Sequence, residues 1–151
     1  MKPKVLIVDD DPINIELLEG YLSKDYGILK AHDGNEALII VGATPPDIIL
    51  LDIMMPGING YTVCKKLKDD PKTSHIPIVM LTSLHGTEAR NKAIEAGADD
   101  FITKPFDNIE VFILSYTLKN KKLYPFERAS SAIRTATAIF PFLEDRTQHL
   151  K

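Results

Sequence analysis

The 151-residue chain holds a single cysteine, Cys64, which rules out a disulfide framework and a cysteine-based zinc site and suits a reducing compartment. It has no excess of base: 18 Lys and Arg stand against 21 Asp and Glu, for a net charge of −3. A surface that grips nucleic acid is basic, so direct nucleic-acid binding is not expected. No apolar run approaches the roughly 18–20 residues that a membrane-spanning helix needs. The opening Met1-Lys2-Pro3-Lys4 passes straight into a short strand pattern rather than into a signal peptide. His32, His75, His85 and His149 show no ligand spacing, and no metal role is assigned to them. Hydrophobic residues at 44% and charged residues at 26% exclude wholesale disorder. These absences lead to the expectation of a cytoplasmic protein that touches neither membrane nor nucleic acid.

The charge that is present is unevenly distributed. Residues 1–120 carry 12 basic and 18 acidic side chains, and residues 121–151 carry 6 and 3. The shift falls near Asn120 and is followed by Tyr124-Pro125 and the Ala/Ser/Thr-rich stretch from Ala129 to Ala138. It divides the chain into an acidic domain over 1–120 and a tail or linker over 121–151. In the tail, Ile133, Ala136, Ile139 and Phe140 are spaced for a helix. About 30 residues are too few for an output domain.

Within the first 120 residues, short apolar runs alternate with helix-period segments. Val5 to Val8, Ile48 to Leu51 and Ile78 to Leu81 show no inside/outside alternation, as expected of strands covered on both faces of a parallel sheet. Ile28 to Ala31 and Asp100 to Thr103 complete five strands. Asp11-Pro12 offers an N-cap and a first-turn proline, with Ile15, Leu18 and Leu22 following at helical spacing. Asn35–Val41, Tyr61–Lys68, Thr87–Ala96 and Asn108–Lys119 supply four further helices. The last of these is apolar around most of its circumference, which predicts a covered outer face. Cys64, beside Val63 and Leu67, reads as core. Five strand–helix repeats predict an α/β fold, a doubly wound five-stranded parallel sheet with five helices (flavodoxin-like), followed by the C-terminal tail.

Such sheets bind ligands beyond the carboxyl ends of their strands. The residues at those ends are Asp9-Asp10, Asp52, Thr82-Ser83 and Lys104-Pro105. Three carboxylates at one sheet edge repel one another: two unit charges ~4 Å apart interact by roughly 4 kcal/mol at an effective dielectric of ~20. An all-oxygen cluster of this kind points to a hard cation, with Mg²⁺ the leading candidate. Mg²⁺ leaves coordination positions for phosphoryl oxygens. Asp52 can then act as an aspartyl-phosphate nucleophile, with Thr82 and Lys104 binding the phosphoryl group.

Asp9-Asp10, the segment Leu50-Leu51-Asp52-Ile53-Met54-Met55-Pro56-Gly57, Thr82-Ser83, Ala96-Gly97-Ala98-Asp99-Asp100 and Phe101-Ile102-Thr103-Lys104-Pro105-Phe106 resemble the receiver domain of two-component response regulators, of the chemotaxis-regulator type. The resemblance runs from about Lys4 to about Leu118. It keeps the family-like separations of 42 residues from Asp10 to Asp52, 30 to Thr82 and 22 to Lys104. It implies that Asp52 is the phosphoacceptor, charged by a sensor histidine kinase or a phosphotransfer protein, and that the domain is not otherwise an enzyme. It further implies that Asp9, Asp10, Asp52 and the Met54 backbone carbonyl hold Mg²⁺, for which Mn²⁺ can substitute. Thr82 and Lys104 would stabilise the phosphoryl oxygens, the Lys104–Pro105 peptide would be cis, and Phe101 would be the switch aromatic. Met54 and Leu84 occupy the positions that tune hydrolysis in the family. The face built from the fourth helix, fifth strand and fifth helix would bind an output partner, not identifiable from sequence, or a second copy in a homodimer.

Three other classes fit the residues less well. A phosphatase with an aspartyl intermediate needs an acid two residues past the nucleophile, where Met54 stands. A dinucleotide or flavin module needs a phosphate loop after the first strand, where Asp9-Asp10-Asp11 would repel phosphate. A degenerate receiver would lack site residues that are all present here. For single residues, Asp11 reads as a helix cap alone, while Thr82 taken singly would read as an ordinary strand-end hydroxyl and Lys104 as a surface lysine.

Overall fold

The computed structural model describes residues 2–83, 87–105 and 111. The apolar runs become β1 (Lys4–Val8), β3 (Ile48–Asp52) and β4 (Ile78–Thr82), the last two buried at every residue. The other strands are β2 (Gly27–Ala31) and β5 (Asp100–Thr103), at the two edges of one parallel sheet ordered β2-β1-β3-β4-β5. Between them lie α1 (Pro12–Leu22), α2 (Gly34–Ala43), α3 (Gly60–Asp69) and α4 (Thr87–Glu95). The expected fifth helix, Asn108–Lys119, and the tail over 121–151 lie outside the described residues.

Strand geometry divides the apolar residues between two layers. On β1, Val5 and Ile7 face one way and pack with Ile15, Leu18 and Leu22 of α1. Leu6 and Val8 face the other way, toward Val41 of α2 and Val63, Cys64 and Leu67 of α3. Both faces of a strand are thus desolvated, which is why no polar alternation shows in its sequence. Each fully buried Leu, Ile or Val contributes about 1.5–3 kcal/mol of transfer free energy.

Helix starts are set by short polar side chains. Asp11 caps α1 by accepting from the Ile13 N–H at 2.9 Å. Asp33 caps α2 through the Glu36 N–H at 2.8 Å, and Asn59 caps α3 through the Thr62 N–H at 3.0 Å. Each cap satisfies an N–H that has no partner within its own helix.

Strand order reverses direction between β1 and β3, so the crevice that such sheets offer to ligands opens beyond the ends of these two strands.

Candidate functional site

Register brings the acids together. Val8 of β1 pairs with Leu51 of β3, so the next residues, Asp9 and Asp52, are neighbours across the two strands. Asp52 pairs with Leu81 of β4, and Thr82 with Thr103 of β5, which puts Lys104 at the same edge. Asp52 and Thr82 are the last residues of their strands rather than the first residues beyond them. Both are therefore held by ladder hydrogen bonds. Backbone bonds continue past the strands, from Asp9 N–H to Ala31 C=O at 3.1 Å, Ile53 N–H to Leu81 C=O at 3.0 Å and Lys104 N–H to Thr82 C=O at 2.7 Å. The Lys104–Pro105 peptide is cis.

Asp9 and Thr82 are fully buried, Asp52 is 3% exposed and Asp10 is exposed. Asp9, Asp10 and Asp52 each present a carboxylate oxygen, and these oxygens lie within 4.8 Å of one another. The Lys104 Nζ stands 3.2 Å from Asp9 Oδ2 and 3.2 Å from Asp52 Oδ1. Asp9 Oδ1 also accepts from the Asp11 N–H at 2.9 Å. Among the described residues, one ammonium thus stands against a cluster of three carboxylates and pairs with two of them, Asp9 and Asp52.

The imbalance is visible in the titration of Asp52. Burial first, and the nearby Asp9 charge second, lift its carboxyl from 3.8 to about 6, against the opposing pull of Lys104 and of the Met54 backbone N–H. Burial on its own would lower the Lys104 ammonium, but attraction to Asp52 and Asp9 outweighs it and holds the lysine above its ordinary value. A carboxylate pair with only one cation between its members is under-neutralised in a site of low dielectric. A divalent cation fits this cluster in charge, in its hard oxygen donors and in the convergence of those donors.

The remaining predicted residues are nearby in the fold. Phe101 lies on edge strand β5, half-buried against the α2–α3 layer of the core. Met54 follows Asp52 in the β3–α3 loop with its side chain 60% exposed. Leu84 lies outside the described residues.

The chain matches the family model of the response regulator receiver domain over residues 5–114. It belongs to that family. The receiver is 48% identical over 124 residues to response regulator PleD of Caulobacter vibrioides, an alignment that covers 82% of this chain and 27% of PleD. It is 40% identical over 106 residues to the DNA-binding dual master transcriptional regulator RpaA of Synechocystis, covering 70% of this chain and 44% of RpaA. Among solved structures, it superposes on chemotaxis protein CheY4 of Vibrio cholerae with a TM-score of 0.74 at 27% identity, over 78% of this chain and 99% of that one. The signal receiver domain of a histidine kinase from Syntrophus aciditrophicus gives a TM-score of 0.74 at 33% identity, over 83% and 95% of the two chains. The protein is therefore a phosphoacceptor module of two-component signalling with the flavodoxin-like receiver fold. Among the described residues, no helix is long and apolar enough to cross a membrane.

Two features of the site were not read from the sequence. Gly60 donates its N–H to the Ile53 carbonyl at 2.9 Å, closing the loop that follows Asp52. A Cβ at Gly60 would overlap the Asp52 carbonyl oxygen. Gly34 packs against Ile58 of the same loop. Both glycines directly precede helices expected from the sequence, Asn35–Val41 and Tyr61–Lys68, but the sequence carries no sign of what lies against them.

Proposed function

We propose that Asp52 is the phosphoacceptor and that the receiver takes its phosphoryl group from a phosphohistidine on a sensor histidine kinase or phosphotransfer protein. The observation that carries this reading is the convergence of Asp9, Asp10 and Asp52 with Lys104 at one sheet edge. An Asp52 carboxylate oxygen attacks phosphorus in line. The new O–P bond forms as the N–P bond breaks, and the electron pair leaves with the imidazole. Lys104 moves with the transferring group as its ion-pair partner, and the Thr82 hydroxyl donates to a phosphoryl oxygen. Asp9, Asp10, Asp52 and the Met54 carbonyl would hold Mg²⁺, or Mn²⁺ in its place, which when bound neutralises charge on the acids and on the phosphoryl oxygens. The only chemistry in this reading is self-catalysed transfer and autodephosphorylation.

The phosphoryl group adds roughly −1.5 to −2 in charge. Thr82 moves toward it and Phe101 packs into the space left behind, biasing the α4–β5 side together with the fifth helix toward an output partner or a second copy. Phenylalanine performs this packing change without the hydroxyl that a tyrosine would add. Residues 1–120 form the receiver and 121–151 a tail or linker, and the apolar helix expected at Asn108–Lys119 is covered either by a partner chain or by that tail. Removing the tail should promote self-association or lower stability, and a truncated protein that stays monomeric and equally stable would refute that assignment. The reading fits a cytoplasmic protein.

Acetyl phosphate with Mg²⁺ should add one phosphoryl group to the wild type and none to Asp52→Asn, read by intact-protein mass spectrometry with the fold checked by circular dichroism. Met54 offers no polar group to orient an attacking water, and neither does Leu84. The label should therefore persist well beyond seconds once donor is removed, and decay within seconds would count against this role for the two residues.

A further inference from the structure

We infer that Gly34, on a different element from every residue of the acidic cluster, is a positioning residue for the phosphoacceptor loop and acts through Ile58. The inference rests on the reading that the cluster and the Met54 carbonyl hold a divalent cation.

The loop from Ile53 to Asn59 is closed at its base by the Gly60 N–H to Ile53 C=O bond, 2.9 Å long. Its stem is fixed to β4 through Ile53 N–H and Leu81 C=O. Gly57 turns the chain with φ of +79°, a conformation that favours glycine. Two apolar side chains then anchor the loop. Met55 is buried in the core, and Ile58 is half-buried against it. Ile58 lies over the first residue of α2, where Gly34 has no side chain. A Cβ there would come within 2.6 Å of Ile58 Cγ1 and 2.7 Å of Val63 Cγ2.

Real Cβ atoms do not approach carbon this closely, so any side chain at position 34 must push something aside. Val63 is fully buried on α3, inside the core layer that α2 and α3 form against the sheet, and has little room to yield. Ile58 is on a loop and half-exposed, so it moves first. Displacing it shifts the short closed loop in which Met54 sits four residues earlier. The Met54 N–H supports the Asp52 carboxylate, and its carbonyl is the one backbone ligand of the proposed cation. A bare glycine at the start of α2 therefore acts as the seat on which this ligand is set, in the way that residues behind first ligands orient metal sites elsewhere.

The test is Mn²⁺ titration of the unphosphorylated full chain by calorimetry, with melting curves to confirm folding. Gly34→Ala should bind Mn²⁺ about tenfold more weakly than wild type, and Ile58→Ala, which adds no clash, several-fold more weakly. In the Ile58→Ala background the added Gly34→Ala change should cost less than twofold, because the obstructed group is gone. In a Val63→Ala background its tenfold cost should remain. The inference is overturned if folded Gly34→Ala binds like wild type, if its cost is undiminished beside Ile58→Ala, or if Val63→Ala abolishes that cost. Should Gly34→Ala fail to fold, Ile58→Ala decides alone, and unchanged affinity there overturns the inference. Failure of wild type to bind any Mn²⁺ brings down the cation reading itself together with this inference, an outcome distinct from the others.

Discussion

The two ends of the sheet handle buried charge in opposite ways. At the amino ends of β4 and β5, Lys68 reaches from α3 to Asp99 at 2.9 Å and to the carbonyls of Ile76 at 2.7 Å and Ser74 at 3.2 Å. The same Asp99 oxygen accepts the Ile78 N–H at 2.9 Å. All three ammonium protons are used, one of them on the Asp99 carboxylate. At the carboxyl ends, among the described residues, one lysine stands against a cluster of three acids, and the Asp52 carboxyl is pushed up to about 6. Charge that is balanced and fully hydrogen-bonded holds strands in place. Charge left in excess favours a cation at that end. The difference separates architecture from function without reference to any relative.

The comparison is most sharply broken at the balanced end. Lys68→Met takes the ammonium away from Asp99, a carboxylate only 1% exposed. It should lower stability by about 3–5 kcal/mol, measured as a drop in the urea midpoint. A variant as stable as wild type would show that the pair contributes nothing.

The opposite sign is expected at the carboxyl end. The folded Asp52 carboxyl titrates near 6 rather than 3.8, so the folded state holds its proton more tightly than the unfolded chain does. Its electrostatic cost is absent below the lower value, develops as pH rises between the two, and is complete above the higher one. Without divalent ions, Asp52→Asn should therefore be more stable than wild type at neutral pH, by up to about 3 kcal/mol. The gain should vanish at the acid end of that window. A loss of stability at neutral pH would contradict the charge-excess account.

Much of this was legible in the sequence because it rests on short-range patterning. Unbroken apolar runs such as Ile48 to Leu51 betray strands covered on both faces, and a polar residue ending each run marks the ligand edge. The resemblance carried by Asp9, Asp10, Asp52, Thr82 and Lys104 named the family that the comparisons show. Strand ends were off by one residue at Asp52 and Thr82, because a polar side chain on the last rung of a ladder looks like the start of a loop. The Lys68–Asp99 pair joins residues 31 apart, and no local pattern encodes that meeting. Gly34 directly precedes the helix expected at Asn35–Val41. Its role depends on Ile58, 24 residues later, whose position only the folded chain reveals.

The central claim is that the carboxyl-end acids form one under-neutralised cluster made to take a divalent cation beside the phosphoacceptor. Titrating unphosphorylated wild type with Mg²⁺ across pH tests it most directly, because a protonated Asp52 competes with the ion. The account predicts one bound ion per chain, with affinity falling as pH drops through about 6. Absence of binding, or binding indifferent to pH across that range, would contradict it.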